Sequence, residues 1–129
     1  MFDLLNNPEE FFSALKNKLL LPLPGESAQN KMTSRARIST DEYLKQKSDH
    51  KISAVFLPLF PFNGTIYSAL IRRPSYDGLH SGQLALPGGK SEERDNSLVQ
   101  TALRETKEEV GIDIDEVNLL GKLSPLYIP

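Results

Sequence analysis

The chain has 129 residues, no cysteine, 15 basic against 17 acidic residues and a formal charge of −2. That length gives one modest domain with a single core, and the lack of cysteine excludes a disulfide scaffold. The near-balance of charge, with no basic stripe interleaved by aromatic residues, argues against a nucleic-acid partner.

The longest mostly apolar run, ISAVFLPLFPF, falls short of the roughly 20 residues a spanning helix needs, and two prolines interrupt it. The start, MFDLLNNPEEFF, is acidic where a signal peptide is basic. A soluble, cytoplasmic protein without a membrane partner is expected.

In chain order, Asn7 followed by Pro8, Glu9 and Glu10 marks a helix start: a capping side chain, proline at the first helical position, and acids at the positive dipole end. Phe11, Phe12, Leu15 and Leu19 share a face, which predicts an amphipathic helix over 8–20. The segment LPLPGESAQNKMTSRA, rich in breakers and polar residues, predicts an irregular connection. STDE then offers a capping box, Ser39 to Glu42, opening a short helix at about 40–47.

From Lys51 the texture becomes β-rich. KISAVFLPLF and TIYSALIRR read as strands joined by PFNG, whose Asn63-Gly64 pair suits a tight hairpin turn. The unbroken apolar character of the first run predicts a strand covered on both faces. A boundary near residue 50 divides an N-terminal helical extension, 1–50, from a domain over 51–129.

After a loop at about 74–82, a short strand QLAL leads into Pro87-Gly88-Gly89. Asp95 or Asn96 can cap the next helix, and Gly111 closes it. EVNLLGKLSPLYI reads as one or two further strands.

That helix carries the chemistry. Val99, Ala102, Leu103, Thr106 and Val110 form its core stripe at about 100° per residue. Glu105 and Glu109 sit together on a shoulder of the stripe, and Glu108 points farther toward solvent. A like-charged pair at this spacing costs about 0.2–0.5 kcal/mol, and anions in the last turns oppose the dipole at about 0.3–1 kcal/mol each.

A bound divalent cation reverses both penalties, and hard oxygen ligands suit Mg²⁺ or Mn²⁺. The alternative is a solvated acidic face partly neutralised by Arg104 and Lys107. Gly88 and Gly89 let the backbone approach a metal or phosphate closely, so a carbonyl from this loop can complete a site begun by Glu105 and Glu109; the alternative there is a simple turn.

Taken together, GGKSEERDNSLVQTALRETKEEVGI resembles the Nudix box, G-x(5)-E-x(7)-R-E-U-x-E-E-x-G-U with U aliphatic: Arg104, Glu105, Glu108, Glu109, Gly111 and Ile112 match in order. Asp95 stands where the first glutamate belongs, Thr106 replaces an aliphatic residue, and one extra residue separates Asp95 from Arg104. Upstream, ALIRRPSYDGLHSGQLALPGGK is similar to the added signature of the coenzyme A pyrophosphatase branch. Arg73, Gly82, Pro87, Gly88 and Gly89 fit that spacing, whereas Leu86, Pro74 and Gly78 depart from it.

The resemblance implies an α/β (α+β) fold, an α/β/α sandwich around a mixed sheet, of which the chain looks like a C-terminally incomplete part. The open sheet edges that this leaves predict self-association as a homodimer or other assembly. It also implies a Mg²⁺- or Mn²⁺-dependent pyrophosphohydrolase acting on a small-molecule nucleotide, coenzyme A above all.

On that reading Gly88, Glu105, Glu108 and Glu109 hold metal, Glu108 bridging through water or taking up a proton unless it is only a surface acid. Arg104 orients the glutamates through ion pairs, unless it is an ordinary exposed arginine. Arg73, His80 and Lys90 are candidate substrate contacts, each with an alternative as a plain loop or surface residue. Another nucleoside diphosphate derivative as substrate, or a non-catalytic binding module of the same fold, are the rival readings.

Overall fold

The computed structural model describes residues 7–32, 42, 45, 51–75, 77 and 81–126. Helices and strands are mixed in an α/β arrangement, and the chain divides into two units. The first holds Met1–Pro8 with Lys51–Asn118 and the second holds Glu9–His50 with Leu119–Pro129.

In the first unit, β1 (Ser53–Val55) pairs antiparallel with β6 (Gly88–Lys90), β2 (Leu59–Phe62) with β3 (Thr65–Ser68), and β4 (Ile71–Arg72) with β5 (Leu84–Ala85). These three small, open pairs are the sheet component among the described residues. Helix α3 (Leu98–Val110) packs across β6 and β1.

The Asn63-Gly64 turn forms as expected. Both residues are left-handed, φ 48° and 76°, the pairing that a two-residue hairpin turn demands. Across this hairpin Tyr67 stacks on Phe60, 6.2 Å between centroids, and meets Phe62 edge-on at 5.7 Å.

Each expected long strand is broken in two. Phe56, Leu57 and Pro58 separate β1 from β2, since proline has no N–H for a ladder, and Ala69 and Leu70 separate β3 from β4. Nor is the first run covered on both faces: Val55 is 62% exposed.

GGK, expected as a loop, is a strand. Phe56 N–H donates to the Pro87 carbonyl at 2.8 Å and Ser91 N–H to the Ile52 carbonyl at 2.9 Å, which makes the intervening Val55–Gly88 pair a non-hydrogen-bonded one. The N–H and C=O of Gly88 therefore turn away from β1, toward the open edge.

The helix start also differs from expectation. Ser97, not Asp95 or Asn96, caps α3: its hydroxyl accepts from the Gln100 N–H at 3.2 Å, while the Gln100 side-chain oxygen accepts from the Asn96 N–H at 2.7 Å. Gly111 closes the helix at φ 73°, its N–H donating to the Lys107 carbonyl. The core face includes Thr101, fully buried and absent from the predicted stripe, beside Ala102 and Thr106.

Helix α1, which from Glu9 on belongs to the second unit, runs Pro8–Leu19, close to the predicted 8–20. The connection expected to be irregular holds a one-turn helix, α2 (Glu26–Gln29), whose first turn closes on the Gly25 carbonyl, followed by a 3-10 turn at Asn30–Met32. The predicted 40–47 helix lies outside the described residues except for Glu42 and Lys45, both helical.

Leu119–Leu126, expected as strand, makes no ladder. Its Pro125 carbonyl instead accepts from the Gln29 side chain at 3.1 Å, and Gly121 lies so close to Leu19 that an added Cβ would come to 3.0 Å from it. Among the described residues this segment has no strand partner, and its polar backbone meets a side-chain donor instead. No helix among the described residues is long and apolar enough to cross a membrane.

Candidate functional site

The acids of α3 meet the β6 strand because α3 lies across it. Glu109, in the last turn, accepts from the Gly88 N–H at 2.9 Å. This bond uses the donor that the ladder turns toward the open edge, and the Gly88 carbonyl faces the same way. Both groups are thus on the side of β6 where Glu109 arrives.

Glu105, one turn earlier, comes against Gly89: a Cβ built there would lie 2.5–2.7 Å from its three carboxyl atoms. The sequence pairing of Glu105 and Glu109 thus has a structural counterpart, one acid on each glycine. Gly88 is glycine for backbone reasons as well. Its φ is 149°, and a Cβ would run into the Ala54 carbonyl and lie 2.6 Å from the Val55 Cα.

Arg104 is the hub. Its guanidinium forks onto Asp95, Nε to Oδ1 and Nη2 to Oδ2, both at 3.0 Å. Nη1 donates to Glu105 Oε1 at 2.9 Å, and Nη2 also donates to the Lys90 carbonyl at 3.1 Å. Its side chain is only 13% exposed, so the reading as an ordinary exposed arginine does not hold.

Asp95, with a side chain 4% exposed, also accepts from the Glu92 N–H and the Thr101 hydroxyl, each at 3.0 Å. The Arg104 bonds hold its carboxyl well below the usual carboxylate range, and the same bonds raise the Arg104 guanidinium. This network was the part of the site that motif reading passed over. The available signal was an aspartate six residues ahead of a helix threonine and nine ahead of an arginine.

Glu108 goes elsewhere. It takes Arg94 Nη2 on one oxygen and Arg104 Nη1 on the other, both at 3.4 Å, and its side chain is half exposed. Among the described residues no three acidic or histidine side chains converge as a ready-made metal cage. Glu105 and Glu109 with the Gly88 carbonyl remain a set of hard oxygen donors of the class Mg²⁺ and Mn²⁺ prefer.

Of the substrate candidates, Lys90 ends β6 with an exposed side chain, and its carbonyl is held by Arg104. Arg73 follows β4, exposed, its backbone N–H bonded to the Gln83 carbonyl at 2.9 Å. His80, and Gly78 of the upstream signature, lie outside the described residues.

Comparison with known proteins gives a family. The family model described as the NUDIX domain matches residues 49–129, more than half the chain. Among curated relatives, the chain is 51% identical over 57 residues to the "Uncharacterized Nudix hydrolase NudL" of Yersinia enterocolitica. It is 53% identical over 57 residues to the protein of that description from Yersinia pestis. In each case the match covers 44% of this chain and 29% of the relative, so the chain spans under a third of the length of these relatives. No solved structure matches significantly.

Proposed function

Since the chain belongs to the Nudix family, we propose that it works in metal-dependent hydrolysis of a diphosphate bond, with coenzyme A or a derivative as substrate. Water and coenzyme A would give 3′,5′-ADP and 4′-phosphopantetheine: the bridging P–O bond breaks, the water oxygen stays on one phosphate, and a proton is released. The observation that carries the hydrolytic reading is the seating of one acid on each glycine of β6, Glu109 on the Gly88 amide and Glu105 in the space Gly89 leaves.

Glu105, Glu109 and the Gly88 carbonyl would hold Mg²⁺ or Mn²⁺, and two carboxylates leave room for waters and substrate phosphate among the ligands. When bound, the ion supplies charge neutralisation for the diphosphate and a water of lowered pKa. Arg104, tied to Asp95, orients Glu105. Glu108, half exposed and ion-paired with Arg94 and Arg104, is the acid assigned to accept the released proton. Lys90, at the end of the glycine strand, and Arg73, after β4, are the cations we assign to phosphate contact, with His80 as a third candidate.

Coenzyme A as the substrate is supported by the upstream spacing of Arg73, Gly82, Pro87, Gly88 and Gly89. The start of the family match at residue 49 supports treating 1–50 as an extension. The edges of the small strand pairs that no described strand covers support self-association; light scattering of a compact, well-folded monomer would remove that part of the reading.

The deciding experiment is product analysis by mass spectrometry after incubation with coenzyme A and Mg²⁺ or Mn²⁺, alongside ADP-ribose, a dinucleotide and an oxidised nucleoside triphosphate. Release of 3′,5′-ADP ahead of the other products supports the proposal. Faster turnover of another member reassigns the substrate, and ligand binding without metal-dependent hydrolysis, unaffected by Glu109→Gln, points to a binding module.

A further inference from the structure

The two glycines of β6 are glycine for different reasons. Gly88 has a positive φ and backbone atoms in the way. Gly89 has neither: its φ lies outside the left-handed region, so a side chain is conformationally permitted there. The three nearest atoms that a Cβ would meet are Glu105 Cδ at 2.5 Å, Oε1 at 2.5 Å and Oε2 at 2.7 Å.

All three belong to the far end of one flexible side chain, 18% exposed, whose Oε1 is also the acceptor for Arg104. The nearest obstacle to a side chain at Gly89 is therefore the Glu105 carboxylate, which occupies that volume.

We infer that Gly89 is a positioning residue: by lacking a Cβ it fixes where the Glu105 carboxylate sits between β6 and Arg104, and so sets the geometry this acid presents to a divalent cation. The second half rests on the metal-dependent reading above. A methyl group at residue 89 pushes the carboxylate off its seat, lengthens the Arg104 contact and leaves the β1–β6 ladder intact, because only a side-chain terminus has to yield.

The test combines three measurements on wild type, Gly89→Ala, Glu105→Gln, and Gly89→Ala combined with Glu105→Asp, whose shorter side chain restores room. Cooperative thermal unfolding reports the fold, the ¹³C resonance of the Glu105 side-chain carboxyl reports its seat without any metal, and Mn²⁺ titration followed by electron paramagnetic resonance reports binding. Gly89→Ala is expected to unfold cooperatively, to move the Glu105 resonance, and to weaken Mn²⁺ binding by about tenfold or more, as supporting-shell changes do. The double variant is expected to recover part of that loss.

An unmoved Glu105 resonance, or loss of cooperative unfolding in Gly89→Ala, overturns the inference, as does Mn²⁺ binding within twofold of wild type while Glu105→Gln weakens it. If Glu105→Gln leaves Mn²⁺ binding unchanged, it is the metal-dependent reading that fails, and the resonance alone then decides whether Gly89 positions the acid.

Discussion

Alanine at the two adjacent glycines of β6 should have very unequal consequences for stability. At Gly88 the substitution forces an L-residue to φ 149° and puts a Cβ into the backbone of β1, against the Ala54 carbonyl and 2.6 Å from the Val55 Cα. Holding a non-glycine residue in such a region costs on the order of 1–3 kcal/mol. Relieving the clash means moving β1 from β6, which loosens the ladder on which α3 rests, for a further cost of about 1–2 kcal/mol, comparable to overpacking a core. The sum, about 2–5 kcal/mol, is a large fraction of the roughly 5–15 kcal/mol by which a domain is stable. For a unit of this size it corresponds to a fall in Tm on the order of 10 °C or more. Gly89→Ala should change Tm by only a few degrees, because the obstacle is a carboxylate that can swing away. Thermal unfolding followed by circular dichroism compares the two. If Gly88→Ala melts with wild type, or if both variants fall equally, the assignment of different constraints to the two glycines is wrong.

Thr101→Val should cost on the order of 2 kcal/mol, as expected for a buried hydrogen bond to a charged acceptor, whereas Thr101→Ser, which keeps the hydroxyl, should cost about 1 kcal/mol for the lost methyl; urea unfolding that reverses this order refutes a role for the Thr101–Asp95 bond. Asp95 has a folded-state pKa below its unfolded value near 4, so its contribution is fully present above about pH 4 and is lost as pH falls through the folded value. Stability measured from pH 5 down to 2.5 should therefore fall less steeply in Asp95→Asn than in wild type, with part of the remaining slope from Asp113, which Lys107 also holds below the ordinary range. Glu109→Gln should weaken Mn²⁺ binding by at least about tenfold, since even outer-shell changes cost that much, and the same titration giving wild-type affinity would remove Glu109 from the metal set.

What could be read from the sequence was what neighbouring residues decide. Asn63-Gly64, the Pro8 helix start and the Gly111 stop each act through their own φ preferences or caps, and all three stand where expected. The β6 strand was hidden because glycine has little strand propensity and its partner, Ser53–Val55, is more than thirty residues away. The cap at Ser97 was masked by two other capping residues just before it, although S-x-x-Q names the right one once Gln100 is considered. Leu119–Leu126 carries a strand's composition, but a strand also needs an edge to join, and composition does not supply one. In the site, the Glu105–Glu109 shoulder followed from helical periodicity; the Asp95–Thr101–Arg104 network did not, because it joins a loop to a helix through side chains alone.

That network also bears on why α3 tolerates its acids. Four carboxylates, of Glu92, Asp95, Glu105 and Glu108, gather around two guanidinium groups, of Arg94 and Arg104, while Glu109 accepts from the Gly88 amide. Arg104 is largely committed to Asp95 by a bidentate fork, the strongest geometry available to it, and Arg94 serves Glu92 at 2.7 Å before it reaches Glu108. Glu105 has only a share of the Arg104 charge, through Nη1 at 2.9 Å, and Glu109 rests, among the described residues, on the Gly88 amide at the helix end where the dipole already opposes it. The two guanidinium charges, Arg104 forked onto Asp95 and Arg94 paired with Glu92, thus serve as scaffolding and leave a local excess of negative charge centred on the pair that faces the glycine strand. A monovalent partner such as a lysine placed there would balance one acid and crowd the other, whereas a small divalent ion meets both with its own water and substrate ligands. Raising Mg²⁺ or Mn²⁺ should accordingly increase Tm in wild type and much less in Glu105→Gln, because a ligand bound only by the folded state stabilises it by mass action; equal shifts in both proteins would place the ion elsewhere.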